Sequence, residues 1–217
     1  MAMKALIVQG GWKGHEPKET ADILAAALKQ RGVEAEIADS LDAFADYDKL
    51  MTYDLLTPHW TMGEAPKEAW QSLVKAVENG VSLGGIHGGM GDAFRSCSQY
   101  QFMVGGQFVA HPGGGGTTYQ VHIVDHEHEI TKGMQDFSVT SEQYYMHVDP
   151  SLRVLAMTLG PGNVVMPVAW IRKWGKGAVY YCSLGHNAEH LSRPETLELC
   201  IRGMVWAARQ TAANKAS

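Results

Sequence analysis

With 217 residues, 45% apolar and 19% charged, the chain is long enough to bury the core of one large α/β domain spanning residues 1–217. Its 18 Lys and Arg against 23 Asp and Glu give a net charge of −5 without a basic patch, which argues against nucleic acid as a partner. No apolar run reaches the roughly 20 residues of a membrane span, the start Met1-Ala2-Met3-Lys4 lacks a secretory pattern, and Cys97, Cys182 and Cys200 show no CxxC spacing, so a cytoplasmic protein is expected, with neither a disulfide framework nor a thiolate zinc site.

Lys4 to Gln9 is an apolar run ending at Gly10-Gly11, the pattern of a strand covered on both faces. Trp12 to His15 form a loop at its carboxyl end. Pro17 opens a helix with an apolar stripe of Ile23, Leu24, Ala27 and Leu28, closed by Gly32. Val33 to Ile37 alternates and reads as a second strand near an edge. Strand, helix and strand in this order make a parallel βαβ unit. Leu50 to Leu56 is predicted as the third strand, with His59 and Trp60 beyond its carboxyl end. Ala65 to Glu78 is a helix in which Trp70, Leu73, Val74 and Val77 recur at helical spacing, stopped by Asn79-Gly80.

Val81 to Ile86 then reads as a buried strand that turns sharply into a helix. Gly85-Ile86-His87-Gly88-Gly89 sets small residues around one reactive side chain. That is the form of a nucleophile elbow, which lifts its tip above the carboxyl edge of a sheet. The tip here is an imidazole, which can serve as base, acid or metal ligand. From Asp92 a helix is predicted to about Met103. Gly105-Gly106 and Gly113 to Gly116 bracket His111-Pro112 and read as a loop with the character of a lid. Thr117 to Val124, Phe137 to Thr140, Leu152 to Thr158, Val165 to Lys173 and Ala178 to Leu184 read as strands, with Gly185-His186-Asn187 after the last. Pro194 to about Arg209 is the closing helix, and Thr211 to Ser217 a polar tail. Cys182 and Cys200 read as core residues. Alternating α/β in the first half gives way to added antiparallel strands in the second.

Together these motifs resemble the trehalose-utilisation (ThuA-like) family of the class I glutamine amidotransferase-like superfamily, over roughly Lys4 to Arg209. The resemblance is carried in order by the opening strand with Gly10-Gly11 and His15, by the elbow, and by Gly106-Gln107-Phe108 with His111-Pro112. It continues through Asp125 to Thr131, Glu142-Gln143-Tyr144-Tyr145, Pro167-Val168-Ala169-Trp170, Gly175-Lys176-Gly177 and Leu184-Gly185-His186. It implies a flavodoxin-like three-layer α/β/α sandwich with a mainly parallel central sheet. It also implies carbohydrate catabolism, with oxidised (keto) disaccharides such as keto-trehalose as substrates, and is compatible with a homodimer. Glutaminases of the superfamily carry a thioester-forming cysteine at the elbow tip. This chain has His87 there and no cysteine in an elbow context, so glutamine hydrolysis is not expected.

Ligands of an open parallel sheet bind beyond the carboxyl ends of its strands. His15, His59, His87 and His186 each follow a predicted strand at that edge. His111 can fold over it, and Glu142 can add a carboxylate. Such a set suits a divalent metal, zinc most readily, or metal-free acid–base chemistry. His15, His87 and His186 are the expected metal ligands, and His87, Glu142 and His111 the expected catalytic groups. Trp12, His59, Trp60, Tyr144, Tyr145 and Asn187 are the expected substrate contacts, since aromatic faces stack on sugar rings. His122, His126, His128 and His147 read as surface or strand histidines. Gly113 to Gly116 lacks a following Lys-Ser/Thr, so no nucleotide cofactor is expected. The leading reading is a hydrolase or lyase acting on a keto-sugar or glycoside. A non-catalytic sugar- or partner-binding module, or a metal-dependent hydrolase of a non-sugar substrate, stays open on the sequence.

Overall fold

The computed structural model describes residues 2–216; Met1 and Ser217, the ends of the expected domain and tail, lie outside the described residues. β1 (Met3–Gly11) pairs in parallel with β2 (Val33–Ala38) on one side and β3 (Leu55–Thr61) on the other. β4 (Ser82–Ile86) and β11 (Gly177–Cys182) continue the parallel array. Beyond β11 the antiparallel strands β10 (Val164–Trp174), β9 (Arg153–Gly160), β6 (Thr117–Ile123) and β7 (Phe137–Ser141) complete a nine-stranded sheet of order β2-β1-β3-β4-β11-β10-β9-β6-β7. β5 (Gly106–Ala110) and β8 (Tyr145–Val148) form a separate antiparallel pair. α1 (Pro17–Gln30), α6 (Ala188–Leu191) and α7 (Pro194–Ala216) cover one face of the sheet, and α2 (Tyr47–Leu50), α3 (Lys67–Glu78) and α5 (Ser98–Val104) the other. The short α4 (His87–Gly91) follows β4 directly. This is a flavodoxin-like three-layer sandwich.

The layers explain the apolar run in β1. Ala5 and Ile7 pack toward Leu24, Leu28 and Met204, whereas Leu6 and Val8 pack toward Leu73 and Val77. A strand covered on both faces has no side on which a polar residue is favourable. Among the described residues no helix is long and apolar enough to cross a membrane.

Four expected elements differ. The third strand is Leu55–Thr61, not Leu50 to Leu56, because Asp46 caps a helical turn over Tyr47–Leu50 by accepting from the Lys49 N–H at 3.0 Å. Asp54 is buried and accepts from the Lys4 N–H, 2.8 Å, at the start of β1. Pro58 therefore lies inside a strand. It is tolerated because β3 pairs with β4 only at Leu55 and Leu56 and has one partner beyond. The helix expected from Asp92 is broken, since Phe94 takes φ 49° and the regular turns resume at Ser98. The expected loop from Gly105 contains β5, paired with β8, a strand that the sequence reading omits. Finally, the polar tail continues α7 to Ala216. Its Thr211 hydroxyl accepts from the Ser82 N–H at 2.7 Å and Lys215 reaches Asp54 at 3.0 Å, so its polar groups pair at the amino ends of the strands.

Close packing of α7 on β11 can be tested at Gly203. A Cβ there would stand 2.0 Å from the Tyr180 ring. Tyr180 is fully buried and its hydroxyl donates to the Leu199 carbonyl, 2.8 Å, so the ring has nowhere to retreat. Helix propensity favours Ala over Gly by about 1 kcal/mol, but overpacking costs about 1–3 kcal/mol, and an overlap this deep puts the balance with overpacking. Gly203→Ala should lower stability in urea by about 2 kcal/mol. Gly115→Ala, which adds its methyl to open space, should stay within about 0.5 kcal/mol of the parent. Equal stability of Gly203→Ala and the parent would refute this packing.

Candidate functional site

His87 sits at the joint between β4 and α4 with φ 44°, a left-handed conformation that a non-glycine residue keeps only where its surroundings enforce it. The surroundings are close. A Cβ on Gly88 would stand 2.5 Å from His15 Cε1, on Gly89 2.7 Å from His59 Nδ1, and on Gly91 2.2 Å from the Tyr181 hydroxyl. That hydroxyl donates to the His87 carbonyl at 3.0 Å. The His87 ring stacks on Tyr144, with centroids 4.1 Å apart. The small residues of the elbow are a packing requirement of the site.

Three imidazoles converge on one carboxylate. His15 comes from the turn after β1, His87 from the elbow and His186 from the segment after β11, all at the carboxyl edge. Glu142 arrives from the other half of the chain, in the short connection between β7 and β8. Its position is fixed from both sides: the Tyr119 hydroxyl donates to the Glu142 carbonyl at 3.0 Å, and the Gln143 amide donates to Thr158 Oγ1 at 2.9 Å. Glu142 Oε2 lies 3.2 Å from His87 Nε2, 3.2 Å from His186 Nδ1 and 3.9 Å from His15 Nε2. Glu142 Oε1 lies 3.7 Å from His111 Nε2. His111 is brought there by β5, whose Ala110 pairs with Tyr145.

The hydrogen bonds fix one tautomer. The Ser183 carbonyl can only accept, so His87 Nδ1, 2.8 Å away, carries its proton and donates. Burial pushes the His87 ring down to about 4, against the upward pull of Glu142, so the ring is neutral and Nε2 is bare. That bare nitrogen faces the Glu142 oxygen at 3.2 Å and His186 Nδ1 at 3.3 Å. One proton on His186 Nδ1 can serve only one of two acceptors. Burial alone would raise the Glu142 carboxyl, but the imidazoles of His15, His186 and His87 around it hold it well below the usual range, so it is ionised. His15, His87, Glu142 and His186 offer donor atoms within 4.8 Å of one another. A cation would satisfy all four, and this buried set can hold a metal ion.

A cleft of about 240 Å³ opens beside the cluster. Its inner wall is buried and includes His15, Glu142, Tyr144 and Asp92. Its rim carries Trp12, Met62 and His111. Four residues expected at the substrate lie elsewhere. His59 is inside β3 and buried, with Nε2 2.7 Å from Thr20 Oγ1, behind His15. Trp60 packs over Gly10 and Gly63. Tyr145 is half-buried at the start of β8, and Asn187 caps α6 by accepting from the His190 N–H at 3.0 Å. His122 pairs with Asp136 at 2.8 Å, far along the sheet. Sequence reading missed Asp92, Arg95 and Phe108 in the cleft, and the Thr61 hydroxyl, 2.7 Å from His15 Nδ1. Phe108 had a signal, its place in a motif with His111. Arg95 had one too, three residues after an acid that follows the elbow.

His59 and His87 make stability depend on pH. Burial, aided by His15, pushes His59 down to about 4, and His87 lies at about 4 as well, both from 6.5. Below pH 6.5 the unfolded chain takes up protons that the folded chain refuses. The contribution of these two rings to stability is therefore flat above pH 6.5 and falls between pH 6.5 and 4, by on the order of 3 kcal/mol per histidine. Urea denaturation of chelator-treated protein should show this fall, and His59→Gln should remove part of it. A curve that rises on acidification would contradict the neutral, buried assignment of both rings.

A family profile described as trehalose utilisation, ThuA, matches residues 4–207. No curated protein matches the sequence. Among solved structures, a ThuA-like protein from Parabacteroides merdae has a TM-score of 0.80 at 16% identity, covering 96% of this chain and 90% of that one. A ThuA-like protein from Bacteroides uniformis has a TM-score of 0.77 at 19% identity, covering 94% and 91%. A cytoplasmic protein from Salmonella typhimurium LT2 has a TM-score of 0.72 at 16% identity, covering 97% and 99%. At these identities the structural likeness speaks for the fold alone. The family profile, spanning nearly the whole chain, goes further: the chain belongs to the ThuA, trehalose utilisation, family.

Proposed function

We propose that the chain is a cytoplasmic carbohydrate-processing enzyme, a hydrolase or lyase acting on a keto-sugar or glycoside, working through a divalent metal, zinc most readily. The carrying observation is the set of buried His15, His87 and Glu142 with half-buried His186, four donors within 4.8 Å of one another beside a cleft. The description of the family supports the carbohydrate side of the reading. With His87 in place of a cysteine, the reading includes no glutaminase chemistry.

When bound, the metal would polarise the substrate carbonyl or activate a water. The chain's own residues divide the remaining work. His87 offers Nε2, because its Nδ1–H is committed to Ser183. Glu142 turns Oε2 to the imidazoles and Oε1 toward His111. His111, at the rim, takes a proton from the substrate or returns one, with Glu142 stabilising the imidazolium. Trp12, exposed at the rim, gives the sugar ring an apolar face, while Tyr144 is taken up in stacking on His87.

Elemental analysis of untagged protein purified without chelator should find about one zinc, manganese or iron per chain. His87→Ala and Glu142→Gln should lose it while keeping the far-ultraviolet circular dichroism of the parent. His111→Ala should keep the metal and lose about 10²- to 10⁴-fold in keto-glycoside turnover. Full metal content in His87→Ala would sink the metal centre, and undiminished turnover in His111→Ala would remove that residue from the chemistry.

A further inference from the structure

The segment after the elbow contains a second polar device. Asp92 is buried, and Arg95 grips it with two parallel bonds, Nε to Oδ1 at 2.6 Å and Nη2 to Oδ2 at 2.8 Å. Both residues line the same cleft as Glu142 and His111. The Arg95 side chain is 49% exposed, and its Nη1 makes no hydrogen bond among the described residues. The guanidinium carbon lies 5.9 Å from the centre of the Phe108 ring.

The backbone is strained to hold this arrangement. Phe94, between the two partners, takes φ 49° while buried, and Met62 on the facing segment takes φ 63°. The two strained segments are joined: the Met62 N–H donates to the Asp92 carbonyl at 3.0 Å, and Met62 bridges to Ala93. A bulky residue at positive φ persists only where the surroundings enforce it, and such residues cluster at functional sites. Here the turn at Phe94 sends its own ring into the core, where it meets Tyr100, and leaves Asp92 and Arg95 on the cleft.

We infer that Asp92 and Arg95 form the subsite that recognises adjacent hydroxyls of a sugar ring, with Asp92 neutralising the charge of Arg95; this rests on the carbohydrate reading above. Arg95 Nη1 donates to one hydroxyl, and the free lone pairs of Asp92 accept from its neighbour. Phe108 and Trp12 stand beside the pair to take the apolar face of the ring. Paired with Asp92, Arg95 presents donors without net charge.

The test is ligand-observed NMR on the full-length protein, with trehalose as the neutral probe and trehalose 6-phosphate as the anionic one, alongside the metal content of each variant. The parent should bind trehalose. Arg95→Gln should weaken trehalose by about tenfold. Asp92→Asn frees the charge of Arg95 and should move the preference toward the phosphate by about tenfold. Metal content should not change, since neither residue belongs to the buried cluster. Folded variants with the parent's affinities and ratio overturn the inference; in that case sugar binding itself stands. A parent that binds neither probe overturns the carbohydrate reading and this inference together. If Asp92→Asn does not fold, Arg95→Gln, altered at a half-exposed side chain, decides the question.

Discussion

The site depends on how near the elbow backbone can come to its neighbours. Gly88 touches His15, Gly89 touches His59 and Gly91 touches Tyr181, each at a distance that leaves no room for a methyl group. Those contacts hold His87 at φ 44° and bring its ring against Tyr144. A single added carbon would push His15 away from Glu142 or turn His87 off the Ser183 carbonyl. Such overlaps cannot be absorbed locally, because the partners are themselves buried and hydrogen-bonded.

Electrostatics completes what packing begins. A neutral imidazole with its Nδ1 proton committed elsewhere is a poor neighbour for an ionised carboxylate, yet His87 and Glu142 meet at 3.2 Å. Native structures seldom bury two acceptors face to face without something between them. A positive charge between them would satisfy both acceptors, and the same carboxylate has its other oxygen 3.7 Å from the more exposed His111.

Much of this was legible in the sequence, for reasons that can be named. The run from Ala5 to Val8 signals a strand with two buried faces, and the structure gives it both. His15, His87 and His186 are readable because each follows an apolar run at a turn rich in glycine, and the chain belongs to the family whose motifs they carry. The misreadings share a cause: a local signal was outweighed by a distant partner. Pro58 suggests a strand end, but β3 lacks a second partner there and tolerates it. The apolar residues around Phe102 suggest one long helix, but the turn at Phe94 is imposed by Met62 and Tyr100. The strand Tyr145–Val148 is too short to announce itself and exists through its pairing with Gly106–Ala110. His59 carries the same residue type as the site histidines, but it lies buried inside β3 with its Nε2 turned to Thr20.

The origin of Glu142 bears on how the molecule forms. The imidazoles belong to the parallel half of the sheet or to its last strand, whereas the carboxylate belongs to the antiparallel extension, 55 residues after His87 and ahead of His186 in the chain. The elbow, moreover, finds its carbonyl anchor 96 residues downstream. These are long loops to close, and contacts of such separation form late in folding. A collapsed parallel half would hold two of its imidazoles close together with no acid to balance them. The complete constellation exists only once β11 has inserted beside β4 and the extension has docked. Assembly of the four-donor set is thereby tied to the docking of the antiparallel extension, and a partly folded chain does not yet hold it.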